Sequence, residues 1–255
     1  MTTAIANVTT LNRHPVVSRD QWLAERMKLL AREKELSRLG DQVARERRAL
    51  PWVRMEKDYI FDTQDGPRTL AELFEDHSQL LMQHFMLGPD WEQGCKSCSY
   101  MADHTDATRL HLAARDVAFV AVSRAPLAEI ERFRTRMGWG FKWVSSNGTD
   151  FNRDFGVTFT PDELAGGTVR YNYGGMIPPG QEMPGVSAFY RNDAGEIFHT
   201  YSTYGRGVEV MMHTYRLLDL TPKGRDEDGL SFTMEWVRHH DRYETAPAAR
   251  ACCAG

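Results

Sequence analysis

The sequence predicts an α/β fold, a mixed central sheet flanked by helices, with a long N-terminal helical arm. Three observations predict it. From Arg19 to about Arg48 there is no proline, and Trp22, Leu23, Met27, Leu30, Leu36, Leu39 and Val43 recur at spacings of three, four and seven. Past Pro51, short β-branched and aromatic runs alternate with helical segments. Near the end, Asn192-Asp193-Ala194-Gly195 joins two strand-like runs as a hairpin turn does.

Each element follows in order. Ser18, with Gln21 three residues on, forms the capping-box pattern that starts the arm. At about 1.5 Å per residue the arm reaches about 45 Å, and its apolar stripe suggests a symmetric dimer through residues 18–48. Tyr59-Ile60-Phe61 reads as a strand closed by Asp65-Gly66, and Thr69 to Phe74 as a short helix with Thr69 at its cap. Gln79 to Met86 is a mostly apolar run of the kind a strand covered on both faces requires. Residues 97–115 suit a helix, Val117 to Val122 a strand, Ala125 to Met137 a helix, Phe141 to Val144 a strand, and Thr149 to Phe155 a short helix. The Gly-, Tyr- and Pro-rich stretch from Ala165 to Gly180 reads as a surface loop or hairpin insertion. The hairpin strands Val186 to Tyr190 and Glu196 to Tyr201 follow, then a last helix from Val208 to Leu218.

Composition narrows the class. A 255-residue chain can bury a sizeable core without disulfides or metals, and 42% hydrophobic with 26% charged residues is ordinary globular usage. A formal charge of -4 gives no sign of a nucleic-acid partner. No run approaches the ~18 apolar residues of a membrane span, and Met1 to Asp20 lacks the pattern of a secretory signal, so the expected location is cytoplasmic. The expected segments are a flexible leader (1–17), the helical arm (18–50), the main domain (51–225), a C-terminal extension (226–245) and a disordered tail (246–255). Cys252 and Cys253 fall in that tail and are read as incidental.

The chemistry is expected at Cys95-Lys96-Ser97-Cys98, directly after a buried strand and at the start of a helix. Unpaired amides and the dipole at a helix N-terminus favour negative charge, so Cys95 is the candidate nucleophilic thiolate and Cys98, one turn deeper, the candidate resolving thiol. Lys96 adds a nearby positive charge. A CxxC can also be half of a zinc site, with His84 and His104 as the nearest further ligands, although no second CxxC or close His pair completes four. Arg124 follows the end of a central strand, the edge where sites of open α/β sheets gather. Asp90 and Glu92 are candidate proton acceptors for Cys98. Trp91, Tyr100, Trp139 and Trp143 read as core or groove wall. Pro184, in Met183-Pro184-Gly185, reads in isolation as an ordinary turn proline.

Taken together, Thr69 to Leu220 resembles the peroxiredoxin and thiol-disulfide oxidoreductase branch of the thioredoxin superfamily. More closely, Gly88-Pro89-Asp90-Trp91, Gly94-Cys95-Lys96-Ser97-Cys98-Ser99, residues 121–127, residues 198–204 and residues 219–225 resemble a bacterial thioredoxin-like family catalogued as a domain of unknown function. The resemblance implies a thioredoxin-like fold, with Pro184 as the cis-proline beside the dithiol and Met183 presenting its backbone to a bound partner. The family carries no settled reaction; the CxxC at a strand-to-helix junction with Pro184 downstream points to a thiol-disulfide oxidoreductase acting on a protein or small-molecule thiol or disulfide, with no cofactor and no bound metal. The alternatives are a non-catalytic interaction or dimerisation module, and a peroxiredoxin-like peroxide reductase. Two departures stand out: Gly94 occupies the position of the tryptophan that precedes the first cysteine in thioredoxins, and no Pro-Thr/Ser-Cys peroxidatic spacing precedes Cys95.

Overall fold

The computed structural model describes residues 14–244. Residues 1–13 of the expected leader, and the expected tail at 246–255 with Cys252 and Cys253, lie outside the described residues.

Helix α1 (Arg19–Arg48) starts where Ser18 and Gln21 satisfy each other. The Ser18 hydroxyl accepts from the Gln21 amide at 3.3 Å, and Gln21 Oε1 accepts from the Ser18 amide at 3.1 Å. Arg45, Arg47 and Arg48 complement the dipole in its last turn, and Pro51 follows the end. Among its thirty residues none is buried.

One eight-stranded sheet organises the rest. Its strands are β1 (Val53–Arg54), β2 (Ile60–Thr63), β3 (Gly66–Thr69), β4 (Gln79–His84), β5 (Val117–Ser123), β6 (Lys142–Ser145), β7 (Gly185–Arg191) and β8 (Ile197–Tyr204), in the order β1-β8-β7-β4-β5-β6-β2-β3. β4, β5 and β6 run parallel. They are joined by α2 (Lys96–Ala113) and α3 (Leu127–Met137), which share one face of the sheet. β7 pairs antiparallel with β4, and β8 with β7 through the predicted hairpin.

Both faces of the central strands are buried, as the apolar runs require. Phe119, Ala121 and Trp143 pack on the α2/α3 side with Met101, Ile130 and Phe133. Met82, Val120 and Val144 pack on the other side with Phe61, Phe74 and Phe151. α4 (Phe151–Asp154) supplies part of that second layer.

Two local expectations are corrected. The segment from Glu72 to Phe74 is a single 3₁₀ turn with Ala71 at its N-cap; Thr69 stands just before it, its hydroxyl accepting from the Glu72 amide at 3.3 Å. The predicted helix from Val208 to Leu218 divides into a 3₁₀ segment, Gly205–Met211, and a short α6 (His213–Leu218). The chain must turn tightly off β8 there, and Gly207 lies so close to Thr203 that a β-carbon would sit 1.9 Å from Oγ1. Residues 165–180 are the expected hairpin insertion, largely exposed but anchored by one ring. After α5 (Pro161–Gly166), the bridge between Tyr171 and Met176 turns the Tyr171 ring inward, where it is buried with Val157, Met183 and Tyr204.

Candidate functional site

The dithiol sits at the switch from β4 to α2. Phe85 continues β4 by donating its amide to Val122, and an irregular loop returns the chain so that the Cys95 amide donates to the Met86 carbonyl at 3.0 Å. Cys95 is then the N-cap of α2, in extended geometry, and Cys98 begins the buried face of the helix. The Met86 amide points back at the Cys98 sulfur, 3.4 Å away, and Gln83 Nε2 donates to the Cys98 carbonyl at 3.1 Å.

The two sulfurs differ in surroundings. Cys95 is half-buried and Cys98 fully buried, and both are free thiols. The Cys98 thiol donates to the Cys95 sulfur, and the amides of Cys98 and Ser97 and the Ser97 hydroxyl converge on it as well. These donors hold the Cys95 thiol down to about 6 against an ordinary value of 9.0. Burial, and then the negative charge of Cys95, push Cys98 up. Of the two thiols Cys95 is therefore the more acidic.

Register brings Pro184 to the same place. Gly185 pairs with His84, so Pro184 stands across from Phe85, one residue before the Met86 that holds both cysteines. The Tyr171 hydroxyl donates to the Pro184 carbonyl and accepts from the Gly205 amide at 2.6 Å. Burial raises the Tyr171 phenol, which keeps its proton for the bond to the Pro184 turn. The cis bond expected at Pro184 is absent: no described peptide is cis. The Met183 amide donates to the Val157 carbonyl and Glu182 bridges to Thr158, which keeps the segment extended straight into β7 and leaves the commoner trans form in place. The Met183 side chain is buried.

The other sequence candidates find specific partners. Arg124 forms an ion pair with Glu182, Nε to Oε1 at 2.7 Å, and the second Glu182 oxygen accepts from Thr158 at 2.8 Å. Arg124 thus braces the segment leading to Pro184. His84 is not at the sulfurs; it is buried with Nε2 2.8 Å from Ser187 Oγ, in a chain that runs on through Ser202 to His199. His104 accepts from the Thr214 amide at 3.2 Å and caps α6. Among the described residues no group of three or more His, Cys, Asp or Glu is placed to hold a metal ion. Asp90 adopts a left-handed backbone in the loop after β4, and Trp91 lies over Gly88. Tyr100, Trp139 and Trp143 are core.

Sequence reasoning missed the contribution of residues 226–244. His239 Nε2 donates to the Gly94 carbonyl at 2.9 Å. Asp241 accepts from Arg136 Nε and Nη2 at 2.8 and 2.9 Å, and Arg136 Nη1 donates to Gln93. His240 reaches Asp103 of α2 at 2.6 Å. The run His239-His240-Asp241 therefore fastens the loop before Cys95 and the first half of α2 from outside. Its only sequence signal was three adjacent polar residues, which read equally well as solvated.

A dithiol at the start of a helix, after the central strand of a sheet with two parallel crossovers and a closing antiparallel hairpin, defines a thioredoxin-like fold. The chain belongs to the family described as bacterial protein of unknown function (DUF899), whose model matches residues 11–243. No curated protein matches it. Among solved structures it is similar to peroxidoxin BcpB from Mycobacterium tuberculosis, at 15% identity over 63% of this chain and 93% of that one, with a TM-score of 0.41. It is also similar to PrxQ from Xylella fastidiosa, at 11% identity over 62% and 88% of the two chains, with a TM-score of 0.40. A third similarity is to a protein designated thiol:disulfide interchange protein DsbE from Chlorobium tepidum, at 12% identity over 65% and 97%, with a TM-score of 0.39. No helix among the described residues is long and apolar enough to cross a membrane.

Proposed function

We propose that this protein is a thiol-disulfide oxidoreductase whose Cys95 and Cys98 cycle between dithiol and disulfide. The observation that carries the reading is the placement of the pair: Cys95 is the half-buried N-cap of α2, and Cys98 lies buried on its first turn with the Met86 amide 3.4 Å from its sulfur. The Cys95 thiolate attacks one sulfur of a substrate disulfide, forming a mixed disulfide and expelling the other half as a thiolate. Cys98 then gives up its proton to that leaving thiolate and attacks Cys95 Sγ, which expels the second half. The substrate disulfide is reduced by two electrons and Cys95-Cys98 is oxidised.

No cofactor enters this cycle, and its partners are protein or small-molecule thiols and disulfides in a reducing, cytoplasmic setting. Pro184, Met183, Lys96 and Arg124 surround or brace the face on which the partner lies. Turnover of insulin disulfides by the reduced protein tests the reading. Loss of turnover in Cys95→Ser, with a trapped mixed disulfide in Cys98→Ser, is expected; equal turnover in wild type and Cys95→Ser ends the proposal. Running the same variants with hydrogen peroxide in place of insulin decides against the peroxide-reductase alternative. The reading also includes a homodimer through the arm, residues 18–48.

A further inference from the structure

Two apolar surfaces of this chain have no cover among the described residues. On α1, Trp22, Leu29, Leu36 and Val43 recur every seventh residue, and all are exposed, Leu36 at 67%. Such spacing drifts only about 20° per repeat around an α-helix, so the four side chains form a single row. A thirty-residue helix that buries none of its own apolar residues gains nothing from them in water.

The second surface is on the sheet. On the face that carries α2 and α3, the strands β7 and β8 lie open between α2 and the turn Gly205–Met211. Leu81, Val186, Ala188 and Tyr201 floor a groove there, with Leu112 and Val210 on its walls, enclosing about 1030 Å³. Gln79, Thr200 and Thr203 of the strands share this face with the apolar side chains. Of α1, only Arg47 and Arg48 line the groove, and the Arg47 guanidinium lies 4.7 Å from the centre of the Tyr201 ring. The arm's last turn is therefore the rim of the groove, and the two apolar surfaces are continuous.

We propose that the occupant of this groove is α1 of a second copy, the two chains exchanging arms across a two-fold axis. The groove cannot take its own arm while residues 47 and 48 of that arm form its rim, whereas a symmetric partner supplies an identical row to an identical groove. Size agrees. A helix about 45 Å long and about 10 Å across, burying one face on each of two copies, removes roughly 1,800 Å² in total, within the range of stable specific interfaces. This seat rests on the reading of the arm as a pairing element and is independent of the thiol chemistry.

Light scattering of the full chain, run alongside the insulin assay, tests it. Wild type is expected at twice the 29.2 kDa chain mass, and Leu29→Glu with Leu36→Glu at the single mass. Val210 is 75% exposed, so Val210→Glu leaves folding intact, and it is expected to weaken the dimer at least about tenfold. Ala188→Lys, checked for folding by circular dichroism, is expected to do the same. A wild-type monomer overturns the proposal. So do Val210→Glu and Ala188→Lys proteins that dimerise as wild type while the arm variant does not, since the arms would then pair only with each other. Insulin turnover reads the thiol chemistry separately in every variant.

Discussion

Gly94 lies against Phe85 and Phe133 so closely that a β-carbon on it would stand 2.6 and 2.7 Å from their ring atoms. The residue before Cys95 is therefore fixed by packing. Phe85 is itself locked among Trp139 and Trp143, the three ring centroids lying 4.3 to 5.9 Å apart. Gly94→Ala is expected to destabilise the protein by about 1–3 kcal/mol, as overpacking does, and to slow disulfide exchange by displacing Cys95. Urea denaturation with an insulin assay on the same samples measures both; unchanged stability would show that the loop yields freely.

The second expectation concerns protons. Cys95 alkylation by iodoacetamide should follow a titration with its midpoint at about 6, and Cys98→Ala should move that midpoint upward by removing the first of the hydrogen bonds that hold the thiolate. Since the folded value lies below the ordinary 9.0, the thiolate's contribution to the stability of the reduced fold is complete above pH 9, declines as pH falls towards 6 and is lost below it. The oxidised protein has no such group. Its denaturation midpoint should therefore change less than that of the reduced protein between pH 9 and 6.

Removing Arg124 leaves Glu182, 4% exposed, without its cation. Arg124→Ala is expected to cost about 3 kcal/mol, the usual penalty of stranding a buried partner. Adding Glu182→Gln should restore a large part of that loss by removing the uncompensated charge. Thermal melts of the single and double variants check this, and a double variant no more stable than Arg124→Ala would reject the account.

Acid should weaken the fold through its histidines. Burial lowers His84 to about 3 and depresses His104, His199 and His239, so all four are neutral in the native state. Unfolded, they take up protons below about 6.5. The stability they hold when neutral is therefore full above 6.5 and is lost progressively as pH falls towards the native values. His84→Phe, which replaces a ring packed against Phe151 and Phe155 with another ring, should flatten this decline between pH 6 and 4. An equally steep decline in the variant would clear His84 of that role.

Much of this architecture was legible because it depends on local rules. Ser18 and Gln21 are a capping box wherever they precede a helix, and the uncharged run at β5 suits only a buried strand. The strand-to-helix position of Cys95 and Cys98 followed from the same reasoning. What escaped depends on distant partners. Tyr171 reads as a loop residue until Pro184 and Gly205 are beside it, and Arg124 as a loop arginine until Glu182 is. The geometry at Pro184 was taken from a resemblance, and the bridge at Thr158 and Glu182 overrides it. The long apparent helix at 208–218 failed because apolar spacing does not register a tight departure from a strand.

The bond from His239 to Gly94 spans 145 residues of chain. During synthesis, β4, α2 and β5 emerge long before residue 239 exists, so a nascent chain carries both sulfurs with the loop ahead of them unfastened. Only once residue 239 has emerged does the loop before Cys95 acquire this brace, so the surroundings of the two sulfurs are finished well after the sulfurs themselves have been made.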